Sequence, residues 1–264
     1  MSATDREPPG SGRAPARIVS LVPSTTESVC VLGAAARLVG CTRYCSEPAG
    51  ALRDVARVGG TKNPDLAAIL SLEPDLVIGN AEENRAEDLE ALAARVPTLV
   101  QTPRSVPEAA RALAALAERL DLAEAAAPFV ERVTSLLAEP APAAGPRVYY
   151  AIWRKPWMTV GADTFVADVL ARCGARPVGA VPGGPQGREV RYPELAPAEA
   201  VAAGVDLVLL ASEPWEFDDA QRDDVAASGL FGEADVRLVD GRDFCWHGVR
   251  MAAGLARARA ALTP

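Results

Sequence analysis

From residue 17 the chain alternates short β-rich apolar runs with Ala/Leu-rich stretches of helical period, the pattern of an α/β fold with parallel strands. In the first half it predicts strands over 18–22, 38–41, 76–78 and 98–100. Helices are predicted near 25–33, 65–72 and 84–95. From 107 to 139 the helical period is nearly continuous, with Pro128 expected in the first turn of a new helix. The segment APAAGP (141–146) then breaks the chain, and strand, helix and strand resume.

The second half repeats the first. RIVSLVP begins at Arg17 and RVYYAIW at Arg147, an offset of 130 residues (17 to 147). EPDLVIGN and GVDLVLLAS align on Asp75 and Asp206, an offset of 131 (75 to 206). VPTLVQT and DVRLVDG form a third pair after an insertion. The reading is two similar α/β lobes joined by a long helix. The expected boundaries are a disordered lead-in over 1–16, an N-terminal lobe over 17–121, a connecting helix over 122–140 and a C-terminal lobe over 146–264.

In open α/β sheets ligands bind beyond the carboxyl ends of the strands. The segments there are PSTTE, TRYCSEP, NAEENR, QTPR, WRKPW, SEPWEF and GRDFCWH. All four tryptophans, Trp153, Trp157, Trp215 and Trp246, fall in these loops with Tyr44 and the single histidine, His247. Such aromatic plates with a few charges have the composition of a small-molecule site. The structural alternative is that the tryptophans pack a lobe interface or seal loops. Pro156, between Trp153 and Trp157, argues against a helix that would stack those two in a core.

Other cues carry alternatives of their own. Ser24, Thr25 and Thr26 precede a helix, where they would cap it or help to hold a ligand anion. GGTKNP lacks the full phosphate-loop pattern, which leaves Lys62 and Asn63 as polar contacts. Asn80 and Arg85 lie in NAEENR, whose charges also suit a solvated helix start. Cys41 and Cys45 with His247 could supply a thiolate–imidazole metal site, although the spacing is unspecific. No GxSxG elbow accompanies the lone histidine.

Composition narrows the partners. The 264 residues are 49% apolar and 23% charged, and the net charge of −8 excludes nucleic acid and anionic membrane surfaces as main partners. Five cysteines without a CxxC do not form a disulfide framework. The N-terminal residues lack a basic-then-apolar leader pattern, and no window is long and apolar enough to span a membrane, so the expected compartment is the cytoplasm.

The pieces RIVSLVPSTTES, VGCTRYCSEP, GGTKNPDLAAILSLEPDLVIGN and WMTVGADTFVADVLARCGA together resemble the cobalamin- and iron-siderophore-binding proteins of ABC importers. The likeness runs from 17 to about 262, and is nearest to a branch described as helical-backbone metal receptors. It implies two Rossmann-like lobes with mostly parallel sheets and a single backbone helix, a planar metal chelate as ligand (corrinoid, tetrapyrrole or ferric siderophore) and an ABC permease as partner. By the same likeness Tyr44 matches a ligand-contacting aromatic, while two other aromatic positions fall near Lys62 and at Asn80. The acids that dock on a permease fall near Ala67 and Ala198, with Asp65 and Glu199 beside them.

The expected function is that of a monomeric, non-enzymatic binder without a built-in cofactor, which clamps its ligand between two lobes. Tyr44, Trp153, Trp157, Trp215 and Trp246 would supply flat surfaces. Ser24, Thr25, Lys62, Asn63, Asn80, Arg85, Lys155, Glu213, His247 and Arg250 would supply polar contacts. One histidine is a poor supply for a naked metal ion. The alternative is a cytoplasmic chelate-handling protein or enzyme on the same scaffold, uncoupled from a transporter.

Overall fold

The computed structural model describes residues 13–139, 145–180 and 190–263, and these form two compact units. Residues 1–12 of the expected lead-in lie outside the described residues. Ala16 is already fastened, its N–H donating to Asp75 over 2.8 Å.

The first unit comprises the residues up to Pro103, with Glu108–Thr134 and His247–Arg250. Its strands are β1 (Ile18–Ser20), β2 (Leu38–Cys41), β3 (Ala56–Arg57), β4 (Leu76–Gly79) and β5 (Thr98–Val100). They make one parallel sheet in the order β3-β2-β1-β4-β5. β1 and β4 are buried at every position, as strands covered on both faces must be. Alternate residues feed two cores: Ile18, Leu76 and Ile78 join Leu116 and Leu120, while Val19 and Val77 join Ile69 and Leu92.

The helices are α1 (Pro23–Val29), α2 (Leu66–Ser71), α3 (Ala86–Ala93), α4 (Val106–Arg119) and α5 (Ala123–Ala138). The continuous helix expected over 107–139 is therefore two. The chain breaks at Leu120–Leu122, where Asp121 turns left-handed (φ 58°) and Arg37 donates to the Leu120 carbonyl over 2.7 Å. Pro128 does not open a helix but lies inside α5. α5 starts in the first unit, and its residues from Ser135 belong to the second.

The second unit comprises Arg104–Pro107, Ser135–Trp246 and the residues from Met251. β6 (Arg147–Ala151), β9 (Arg176–Pro177), β10 (Leu207–Ala211) and β11 (Asp235–Val239) form a parallel sheet in the order β11-β10-β6-β9. β7 (Trp153–Arg154) and β8 (Trp157–Met158) make a separate antiparallel hairpin. The helices are α6 (Phe165–Arg172), α7 (Pro197–Ala202), α8 (Asp219–Ser228), α9 (Arg242–Cys245) and α10 (Met251–Ala261). Thr164 caps α6 by accepting from Ala167, and Asp218 with Gln221 forms a capping box on α8.

The sequence repeat is a repeat of contacts. Strand order β2-β1-β4-β5 in the first unit corresponds to β9-β6-β10-β11 in the second. Asp75 accepts the Arg17 N–H over 2.9 Å and returns its own N–H to the Arg17 carbonyl. Asp206 does the same with Arg147, at 2.8 Å in each direction. The Arg147 N–H is also the main reason the Asp206 carboxyl titrates below the usual range. Each arginine side chain then caps the helix that leads to its aspartate: Arg17 donates to the Leu72 carbonyl at the end of α2, and Arg147 to the Ala203 carbonyl at the end of α7. Both helices end on a left-handed residue, Glu73 (φ 48°) and Gly204 (φ 72°), the usual geometry of a helix C-terminus.

A Cβ on Gly204 would meet the Arg147 guanidinium at 2.5 Å. Gly204→Ala is therefore expected to lower stability by about 1–2 kcal/mol in urea unfolding. Glu73→Gly, at the matching position, is expected to raise it by up to about 1 kcal/mol.

Candidate functional site

In the first unit, Val22 is the N-cap of α1 and Pro23 opens the helix, so no hydroxyl caps it. The capping role expected for Ser24–Thr26 is thus not found. A proline at the first position already has the helical φ and no N–H to satisfy. Ser24 and Thr25 are instead buried. The Thr26 hydroxyl bonds to Ser20 and to the Val22 carbonyl, each over 2.8 Å.

The segment His247–Arg250 lies against this helix. His247 Nε2 is 3.5 Å from the Ser24 hydroxyl, and the Ser28 hydroxyl accepts the Val249 N–H over 3.2 Å. Arg250 makes a two-pronged pair with Glu27, at 2.6 and 3.0 Å. Gly248 (φ 101°) is required, because a Cβ there would fall 2.1 Å from the Ser28 oxygen. The Glu27 and Arg250 side chains are only 12% and 17% exposed, so either charge left alone would be costly.

The remaining candidates in this unit lie on three loops. Tyr44 is 54% exposed, with the Arg43 guanidinium 5.1 Å from its ring centroid. Lys62 and Asn63 are exposed, and the Lys62 ammonium donates to the Glu82 carbonyl. Asn80 is buried, and its side chain accepts the Glu82 N–H over 2.7 Å. Arg85 is exposed, at the N-cap of α3. Asn84, which the sequence did not single out, ties these loops together. Its carbonyl accepts the Asn80 N–H over 2.8 Å, and its amide donates to the Thr61 and Leu21 carbonyls over 3.0 and 3.4 Å.

In the second unit the tryptophans take different roles. Trp153 is paired with Met158 across the hairpin and Arg154 with Trp157, so Trp153 and Trp157 face opposite sides of it. Trp157 packs among Tyr149, Phe217 and Phe231. Arg154 lies over its ring and pairs with Asp224. Trp153 remains 37% exposed. Its orientation is fixed by an edge contact with Trp215 at 4.7 Å and by an N–H bond to the Lys155 carbonyl of 3.1 Å. Lys155 is exposed at the hairpin turn. The Trp215 N–H is buried with no acceptor among the described residues.

Trp246 is 5% exposed, and its N–H donates to the Glu213 carboxylate over 2.7 Å. Burial drives the Glu213 carboxyl up, against the downward pull of the Trp246 and Cys245 hydrogen bonds and the Arg242 charge. The metal site considered for Cys41, Cys45 and His247 does not form: no group of three histidine, cysteine or acidic side chains able to hold a metal occurs among the described residues. Tertiary packing takes His247 to Ser24 instead.

Residues 18–232 match the family described as periplasmic binding protein. The chain is 30% identical over 210 residues to a vitamin B12-binding protein of Vibrio parahaemolyticus, covering 77% of this chain and 73% of that one. It is 28% identical over 213 residues to the vitamin B12-binding protein of Photorhabdus laumondii, covering 76% of each. Among solved structures, a periplasmic vitamin B12 binding protein of Vibrio cholerae superposes with a TM-score of 0.79 at 20% identity, covering 94% of this chain and 96% of that one. A periplasmic heme binding protein from Pseudomonas aeruginosa superposes with a TM-score of 0.76 at 24% identity, covering 94% and 92%. These agree with the expected two-lobed α/β fold. The expected cytoplasmic location finds no support among relatives named for the periplasm. No described helix is long and apolar enough to cross a membrane.

Burial holds the His247 imidazole down to about 4, from an ordinary value of 6.5. Between those values the unfolded chain takes up a proton that the folded chain refuses. The contribution of this ring to stability is therefore complete above pH 6.5 and is lost as pH drops toward 4, by roughly 3 kcal/mol in all. His247→Gln removes the only histidine and is expected to flatten thermal stability across that window. An unchanged slope would show that His247 is not buried as a neutral ring.

Proposed function

Since the chain belongs to the periplasmic binding protein family, and is thus a binding protein and not an enzyme, we propose that it binds a small planar metal chelate. Corrinoids, tetrapyrroles and ferric siderophores are the classes in view. The observation that carries this reading is Trp153. A large indole left 37% exposed yet fixed by Trp215 and by the Lys155 carbonyl is a preformed flat surface, which costs little ordering when a planar ligand stacks on it. Tyr44 offers a second exposed ring in the other unit.

The contacting set in this proposal is Tyr44, Lys62, Asn63, Trp153, Lys155 and Trp215. Trp157 would brace the hairpin, Glu213 would orient Trp246, and Glu27 would hold Arg250. Ser24, Thr25, Asn80 and His247 would support the loops from beneath, and Arg85 would stay at the rim. The lobes would follow the expected limits, 17–121 and 146–264, with 122–140 between them. The ligand class follows the names of the relatives, which bind vitamin B12 or heme, and the preferred reading needs no built-in cofactor. An ABC permease is the partner proposed. Asp65 and Glu199, the acids beside the expected docking positions, are both engaged at helix N-termini, accepting from Ala68 and Ala196.

Titration of intrinsic tryptophan fluorescence with cyanocobalamin and with hemin tests the proposal. Saturable quenching without chemical change of the ligand is expected for at least one of them. Trp153→Ala is expected to weaken that binding by about tenfold or more. Trp157→Ala is expected chiefly to destabilise the fold, by about 3 kcal/mol. Silence toward both, and toward a ferric siderophore as well, would overturn the assignment.

A further inference from the structure

A cation beside the exposed ring of the first unit has no acid to balance it. Arg43 is exposed, and its one side-chain hydrogen bond among the described residues runs from Nη2 to the Tyr44 hydroxyl, over 3.3 Å. The other N–H groups of the guanidinium have no carboxylate partner there. Lys62 is placed alike: its ammonium donates to the Glu82 backbone carbonyl and to no carboxylate among the described residues. The chain as a whole carries −8, so an anion has to be drawn by local charge of this kind.

Backbone bonds hold the loops of these two cations together. The Arg43 N–H donates to the Gly59 carbonyl over 2.9 Å. Gly59 pairs with Pro64 across a short turn, inside which the Gly60 N–H reaches the Asn63 carbonyl at 3.3 Å. Gly60 does not have a left-handed φ, so its backbone would accept a side chain, but the space would not. A Cβ there would fall 2.4 Å from Asn63 Oδ1, 3.1 Å from Arg43 Nη2 and 3.3 Å from Cε2 of the Tyr44 ring. An amide, a guanidinium and an aromatic edge from two loops thus converge on the room that this glycine leaves. A flat ring bordered by charged donors suits a flat ligand with an anionic rim. A guanidinium matches the paired oxygens of a carboxylate, whereas a chelate fringed only by amides offers it no charge.

We propose that Arg43, with Lys62 and Asn63, is a subsite for a peripheral carboxylate of the planar chelate, and that it selects a carboxylated tetrapyrrole over an amide-fringed corrinoid. The inference rests on the planar-chelate reading above and narrows it. Tyr44 meets the face of the macrocycle. The guanidinium and the ammonium meet its charged rim, and the Asn63 amide adds a neutral hydrogen bond. Because both cations are exposed, their attraction is screened by salt.

Hemin and its dimethyl ester share one iron macrocycle and differ only in the charge of their carboxyl groups. The full chain is titrated with each, and with cyanocobalamin, by tryptophan fluorescence at low and at high salt. At low salt hemin is expected to bind about three- to tenfold more tightly than the ester, and the gap is expected to close at high salt. Arg43→Gln is expected to remove most of that gap by weakening hemin and not the ester, and Lys62→Gln to remove part of it. Cyanocobalamin is expected to bind more weakly than hemin. Equal affinities for hemin and its ester would overturn the subsite, as would a gap that Arg43→Gln leaves unchanged. So would tighter binding of cyanocobalamin, or binding of a ferric siderophore alone. In each of these cases the chelate reading survives. Silence toward all of these ligands removes that reading and the subsite with it.

Discussion

Each unit depends on one exchange of hydrogen bonds, between an arginine at the head of its first strand and an aspartate at the head of the neighbouring strand. Asp75 grips the backbone of Arg17 and Asp206 grips that of Arg147, which sets the register of the central strand pair. The arginine side chain in turn closes the carbonyl end of the helix between them. One pair of residues thereby fixes strand against strand and helix against sheet. The loops that leave the carboxyl ends of those strands inherit their positions from it.

On that frame the second unit divides its aromatic residues between support and display. The register of a short hairpin sends Trp157 into a cluster with Tyr149, Phe217 and Phe231 and leaves Trp153 outward against Trp215. Buried polar residues do the supporting elsewhere. Glu213 holds an indole N–H, Asn84 bonds to three loops, and Glu27 holds Arg250. Such groups are fully satisfied or they are costly, so they fix loop geometry more firmly than apolar packing would.

The strands were legible because a sheet covered on both faces demands unbroken apolar runs, and β2 and β5 fall where the pattern placed them. The repeat was legible because both halves reuse the same arginine and aspartate. Helix ends were less so. The Leu120–Leu122 break keeps a helical period in sequence, and Ser24–Thr26 imitate a cap that Pro23 makes unnecessary. Pairings between distant residues were not legible at all. Arg250 read as a free cation because its partner Glu27 lies 223 residues away, and nothing local marks the two as a pair. Trp153 and Trp157 could not be told apart until their register across the hairpin was known.

The central claim is that the exposed indole of Trp153 serves a planar metal chelate. Native mass spectrometry of the protein purified from its own host addresses it most directly. The account predicts a co-purifying corrinoid, tetrapyrrole or ferric chelate bound one to one, with its metal. A tightly held ligand that is neither planar nor a metal chelate would contradict it.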